Sequence, residues 1–326
     1  MDATHIPELV NQNGYPVLFQ AYEAVPSVRQ LIADVRPVDP TSIYGTKSTT
    51  IIGGSEMAER EDGAGVERDR MEKGYTWQVK VRGYGKELFL PNELIEASSS
   101  TEIGNLITEW AATVGQQAAY QNEKLIADLL QKGTLAAGSE LFDGSFPGNP
   151  DANPTMIYDG QPFFSASHPL IVGSDTLSNL TTGNALTSGA LTDAKVKMMQ
   201  DSALDDRGNR IMNMPGAIIV PPSMEATARV VLNSQLLPGS ANNDINPNAG
   251  SLQVIVNPFL TDTASAAAWW LKSMNVPSIR MYDSGAPKLD TYASKERNGT
   301  VVQLLGRWGA NVVEWRGMQA NNKATS

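Results

Sequence analysis

The chain of 326 residues contains no cysteine, which excludes a disulfide framework, a thiolate nucleophile and a sulfur-ligated metal, and nothing ties it to an oxidising compartment. Histidine is scarce too. His5 and His168 are the only two, so any histidine-dependent chemistry must run through one of them. Basic residues are outnumbered, 25 against 35 acidic, and the formal charge of −10 has the wrong sign for a protein that grips phosphate backbones over a broad surface. No apolar run reaches the length of a membrane span, and Met1 to His5 lack the basic and apolar regions of a signal peptide. The expectation is a protein made and kept in a cytoplasm, where the sequons at Asn179 and Asn298 have no role. Internal repeats and low-complexity tracts are missing as well. What remains, 41% hydrophobic residues, suits one large or two modest domains with a buried core.

The clearest positive signal runs from Ser99 to Gly133. Ser99 with Glu102 three residues on makes a capping box, and Gly133 after Lys132 marks a stop. Between them Ile103, Leu106, Ile107, Trp110, Val114, Ala118, Leu125, Ile126, Leu129 and Leu130 recur at steps of three and four, an apolar stripe on a helix roughly 50 Å long. A coiled coil fits poorly, because Gln117 and Gln121 would fall on the seam. The helix reads as a beam against which other elements pack, with Ile103, Ile107, Trp110 and Val114 in its core face.

Around this beam the elements are shorter. Pro7, Pro16, Pro26, Pro37 and Pro40 leave room only for short helices or extended pieces in residues 1–40, which read as an arm. A β-branched run at 47–53 and an alternating one at 75–82 predict a long hairpin. Its tip, 55–73, includes Glu59, Arg60, Glu61, Arg68, Arg70 and Lys73, too charged to bury and too mixed in sign for nucleic acid. Those six are the candidate contacts to a neighbouring subunit, since a monomer gains nothing from such a protrusion. Loops dominate 134–190, with a strand-like island at Met156 to Tyr158, and a helix is expected from Thr192 to about Asp205. Further strands are expected at Ala217 to Val220, Leu252 to Val256, Ser278 to Tyr282, Val301 to Leu305 and Asn311 to Trp315. A helix opens at Ser223 behind Pro221 and Pro222, a polar loop covers 238–250, a helix or turn carries Ala266 to Leu271, and residues from Gln319 onward are expected to fray.

Catalytic patterns are thin. His168 has no nucleophile elbow beside it, because Gly144-Ser145-Phe146-Pro147-Gly148 shifts the serine out of place, and a structural turn explains the residue better. Tyr120 and Lys124 have dehydrogenase spacing without a glycine-rich turn to accompany it. Asp205 with Asp206, and Glu61 with Asp62, read as solvated charges without metal-ligand spacing, and Met198, Met199, Met212 and Met214 as core fillers.

Three segments together resemble the major head subunit of Mu-type tailed phages, a branch of the Hong Kong 97-like major capsid proteins. They are Asp159-Gly160-Gln161-Pro162-Phe163-Phe164-Ser165-Ala166-Ser167-His168-Pro169, then Ala268-Trp269-Trp270-Leu271 leading into Pro277 to Tyr282, and Arg307-Trp308-Gly309-Ala310-Asn311-Val312-Val313-Glu314-Trp315-Arg316-Gly317. The resemblance implies an α+β Hong Kong 97-like phage capsid fold. Its parts would be an N-terminal arm at 1–40, an extended β-hairpin loop at 41–90, a peripheral domain at 91–215 and 299–326 that includes the spine helix 99–132, and an axial domain at 216–298. It further implies a virion structural protein without cofactor, metal or catalysis, assembled in a bacterial host cytoplasm. Copies would form hexamers and pentamers of an icosahedral head that encloses double-stranded DNA without reading its sequence. Portal, separate scaffold and decoration proteins are the implied partners, and no membrane. Some relatives join a loop lysine to a neighbour's asparagine; here Lys47, Lys73, Lys80 and Lys86, with Asn298 and Asn311, are available, but the tip is too hydrated to neutralise a lysine, and non-covalent shells are expected. An encapsulin-like nanocompartment shell is the alternative reading, and an enzyme using His168 a remote one.

Overall fold

Pro7 and Pro16 both fall within one helical run, where their spacing argues for short pieces. The computed structural model describes residues 5–38, 45–52, 59–60, 62–63, 71–134, 157–172, 175–236, 244–260 and 268–321. In it α1 (Ile6–Leu9) carries Pro7 in its first turn, where a missing amide costs nothing. A π-helical turn, Val10–Gly14, follows, closed by the Tyr15 amide on the Val10 carbonyl, and α2 (Tyr15–Glu23) restarts with Pro16 in its own first turn. The wider turn absorbs the proline that would clash inside an ordinary helix. This run buries Ile6, Val10 and Leu18 against the chain's own core.

After α3 (Arg29–Ile32) and β1 (Asp34–Pro37) the hairpin strands β2 (Gly45–Ile52) and β3 (Glu72–Lys80) pair antiparallel, from Gly45 opposite Lys80 to Ile52 opposite Glu72. β4 (Arg82–Pro91) and α4 (Asn92–Ala97) lead to α5 (Ser100–Gln131). The Ser99–Glu102 capping box forms as the sequence requires, each side chain bonding the other's backbone amide. α2 lies on α5, and Gly115 permits the approach: a Cβ there would stand 2.8 Å from the Leu18 carbonyl oxygen.

The rest of the chain builds two sheets. β5 (His168–Pro169), β6 (Thr176–Leu177) and β7 (Leu180–Thr181) are two-residue strands in loop, then come α6 (Ser188–Gln200), β8 (Pro215–Val220), α7 (Glu225–Asn233) and β9 (Gln253–Val256). β10 (Trp269–Ser273), β11 (Ile279–Asp283), β12 (Lys288–Ser294), β13 (Gly299–Val312) and β14 (Met318–Asn321) complete it. One sheet runs β1-β11-β13-β12 with β4 also on β13; the other runs β7-β14-β10-β8-β9. The segment 216–298 is therefore shared between them, since β11 and β12 belong with β13, while β14 joins the second sheet from beyond it.

Several expectations need correction. The helix expected at 192–205 is α6 at 188–200, because Thr187 caps it by accepting the Ala190 amide. Ala266 to Leu271 does not form a helix in its described part: Trp269, Trp270 and Leu271 lie in β10, buried between β8 and β14. The strand expected at 301–305 and the first two residues of the one expected at 311–315 belong to a single strand, β13, which ends at Val312 and leaves Val313 to Trp315 irregular; its glycines let neighbours close in. At Gly309 a Cβ would fall 1.9 Å from the Lys80 carbonyl oxygen. Gln319 to Asn321 do not fray but sit buried in β14. Ile157 and Tyr158 are irregular and turn, not strand; Met156 lies outside the described residues, as do 238–243 of the polar loop.

Candidate assembly elements

The hairpin is rooted in this chain at its base. Trp77, Val79 and Val81 bury against Tyr282 and Val313, the Asn311 Nδ2 donates to the Gln78 carbonyl at 2.8 Å, and the Arg280 guanidinium lies 4.9 Å over the Trp77 ring. The alternation of Trp77 and Val79 with Gln78 and Lys80 puts the apolar set on one face, as a period of two demands. Farther out Thr49 and Thr76 hydroxyls bond across the pair at 3.0 Å. Glu59, Arg60 and Lys73 are exposed, whereas Glu61, Arg68 and Arg70 lie outside the described residues. Among the candidate contacts the described ones thus stand at the surface.

Along α5, Ile103, Ile107 and Val114 are buried. Trp110 is a correction, being half-buried and packed on the edge of the core, and Leu106 another, at 40% exposure. At 100° per residue Trp110 stands about 60° and Leu106 about 100° from Ile107 around the helix, so the buried face centres on Ile107 and leaves both to one side.

The far half of α5 buries charge that the stripe gave no sign of. Glu123 accepts the Arg29 amide at 2.8 Å, and the Arg29 guanidinium reaches Asp283 at 3.0 Å and the Tyr22 hydroxyl at 3.3 Å. Asn122 donates to that hydroxyl at 3.0 Å. Burial raises the Glu123 and Asp283 carboxyls above their ordinary values, against the lowering pull of Arg29. The cluster ties the N-terminal run, α5 and β11 together.

A second polar hub joins two of the segments that carry the family resemblance. His168 is fully buried, its ring stacked on Trp315 at 4.1 Å between centroids, with Nδ1 2.6 Å from Asp159 Oδ2 and Nε2 3.0 Å from Asn179 Oδ1. Arg316 bonds Asp206 at 2.5 Å, Glu314 at 3.0 Å and the Leu204 carbonyl at 2.6 Å, and packs 4.6 Å over Trp315. Burial works against its charge, but Glu314, Tyr158 and Asp206 outweigh burial and raise the guanidinium above the ordinary arginine value. Tyr158, whose hydroxyl donates to Glu314 at 3.1 Å, is pushed well above the ordinary phenol value by burial first and by Glu314 second.

This hub is structural in form: both nitrogens of the His168 ring are engaged, and among the described residues no hydroxyl nucleophile bonds it. Asp206 corrects the reading of Asp205 and Asp206 as solvated charges, for it pairs with a buried arginine, and Asp205 folds its own turn by accepting the Arg207 and Asn209 amides. Of the four methionines read as core fillers Met198 alone is; Met199, Met212 and Met214 are exposed. Among the described residues no group of three His, Asp or Glu is placed to hold a metal, and no helix is long and apolar enough to cross a membrane. Asn179, Arg29 and Glu123 escaped sequence reasoning. The signal was faint: Asn179 sits inside a loop with a sequon, and Glu123 interrupts an apolar stripe.

Comparison with known proteins finds phage capsid structures of similar fold. The chain resembles the solved capsid of Ralstonia phage GP4 at 11% identity and a TM-score of 0.51, over 88% of this chain and 85% of that one. It also resembles a chain of Mycobacterium phage Patience at 10% identity and a TM-score of 0.50, over 99% and 87%. At such identities the likeness is one of fold. No curated protein matches. The model of the family described as phage capsid protein matches residues 75–321, which takes in most of β3, the whole of α5, both sheets except β1, and the hub. With three quarters of its length inside that match, the chain belongs to the phage capsid protein family.

Proposed function

We propose that this chain is the major head subunit of a tailed phage, with the Hong Kong 97-like plan of arm, extended loop, spine helix, peripheral and axial domains. Copies form hexamers and pentamers that close an icosahedral head around double-stranded DNA. The observation that carries the reading is the family match over 75–321; beside it stands a hairpin, largely outside that range, whose base is packed and whose Glu59, Arg60, Asp62 and Lys73 are exposed. Glu59, Arg60, Glu61, Arg68, Arg70 and Lys73 meet a neighbouring subunit there. Heterologous contacts of this kind close rings where the rotation permits. The acidic balance suits a container that encloses its DNA without holding it tightly.

Portal, scaffold and decoration proteins are the further partners, and assembly takes place in the host cytoplasm. The shell is non-covalent: Lys47, Lys73 and Lys86 are exposed, and Asn311 is engaged with Gln78. The test is nuclease treatment of purified shells followed by extraction. Protected double-stranded DNA supports a phage head; a protected cargo protein without DNA would replace it with an encapsulin-like nanocompartment.

A further inference from the structure

The hydrogen bonds around Asn179 determine where protons sit in the hub. Its Nδ2 donates to the carbonyls of Phe163 at 2.8 Å and Trp315 at 3.2 Å, while its Oδ1 accepts the Ser165 amide at 2.9 Å. Turning the amide over would set NH2 against the Ser165 N–H and oxygen against two carbonyls, so three partners fix one orientation. His168 Nε2 faces that Oδ1 at 3.0 Å and therefore carries a hydrogen. On the other side of the ring Nδ1 lies 2.6 Å from Asp159 Oδ2. A second hydrogen must lie between these two atoms, because a bare ring nitrogen and an ionised carboxylate would turn lone pairs on each other. Neither side chain has any solvent exposure. The other Asp159 oxygen is already in use, accepting the Gln161 amide at 3.0 Å.

The charged groups packed beside the same Trp315 indole are Arg316 and its two partners, Glu314 and Asp206. The phenols of Tyr75 and Tyr158 feel Asp159.

We propose that His168 and Asp159 form a buried proton-binding site, loaded when the hub closes at the crossover between β13 and β14. An ordinary histidine at pH 7.5 is mostly neutral and an ordinary aspartate ionised, with midpoints of about 6.5 and about 3.9, so closing the hub takes up close to one proton. The folded form then binds more protons than the unfolded one. Its folding equilibrium constant accordingly falls about tenfold per pH unit above ~6.5, for as long as the site stays loaded. Alkali weakens the joint that holds residues 159–169 against Trp315.

The direct test is the protonation of the ring nitrogens and of the Asp159 carboxyl by NMR on the isotope-labelled subunit at pH 7.5. With two histidines in the chain, exposed His5 serves as the reference. Hydrogens on both His168 nitrogens, or on Nε2 with Asp159 in its acid form, are two placements of the same proton and support the site. A bare Nδ1 beside an ionised Asp159 overturns it. Asp159→Asn supplies a second readout, because its NH2 can donate to a bare Nδ1 and keep the hub without the trapped proton. Stability of this variant should lose the tenfold fall per unit between pH 7 and 8; the same slope as the parent's would overturn the proposal. Should that variant not fold, the NMR measurement on the parent chain decides.

Discussion

Replacing Arg29 by methionine keeps the aliphatic stem in place and removes the charge that two buried carboxylates face. Glu123 and Asp283 are 3% and 8% exposed, so solvent cannot take over from the guanidinium. Losing one partner of a buried ion pair costs about 3–5 kcal/mol. The loss should stay within that range and not double. Glu123 keeps the backbone amide of residue 29, and Asp283 keeps the Gly285 amide at 3.0 Å. Both carboxyls already stand above their ordinary values through burial, and without Arg29 they rise further. A carboxyl raised in the folded state gives stability that is present below its ordinary value and is lost as pH rises through the raised one. Acidification should therefore return part of the deficit, about 1 kcal/mol per pH unit for each proton taken up. Urea unfolding of the free subunit, followed by tryptophan fluorescence at pH 7 and pH 5, measures both effects. A midpoint at pH 7 equal to the parent's, or a deficit of the same size at both pH values, would refute the reasoning.

Ile107→Ala on the buried face of α5 should cost about 2–5 kcal/mol, and Trp110→Ala, at the edge of that face, less than a fully buried tryptophan would; a larger loss at Trp110 in the same urea assay would undo the placement of the face. Gly309→Ala must push β13 away from the Lys80 carbonyl, so it should lower the thermal midpoint and expose Trp77 to fluorescence quenchers, and an unchanged midpoint would contradict the close approach. Deleting 55–73 should leave a soluble chain with the parent's circular dichroism that forms no shells; loss of folding, or normal shells, would count against the hairpin as an assembly element. Mature shells boiled in denaturing detergent should give one band near 35.0 kDa, and a surviving ladder of multiples would bring the loop lysines into covalent chemistry.

Local signals were legible in the sequence, and contacts between distant segments were not. The capping box at Ser99 and the alternation around Trp77 depend on residues a few positions apart, and both appear in the structure as the pattern requires. Trp269 and Trp270 follow three alanines and so suggested a helix, yet pairing with Ile219 and Ala320 on either side outweighs that local preference. Pro16 suggested a break because a π-turn is not visible in residue types. The hub was half legible: the segments containing His168 and Trp315 stood out by resemblance, but their stacking, the role of Asn179 between them and the pairing of Arg316 with Asp206 depend on separations of more than a hundred residues. Burial of Gln319 and Asn321 follows from β14 lying between β7 and β10, which a polar C-terminal sequence hides.

The central claim is that copies of this chain build a closed shell through the hairpin and spine. Electron microscopy of the full-length protein, expressed alone and together with the products of the neighbouring genes, tests it most directly. The expected result is closed icosahedral particles whose reconstruction shows hexamers and pentamers, with residues 55–73 of each copy lying on a neighbour. A chain that stays monomeric under every one of those conditions, or particles in which 55–73 touch no second copy, would contradict it.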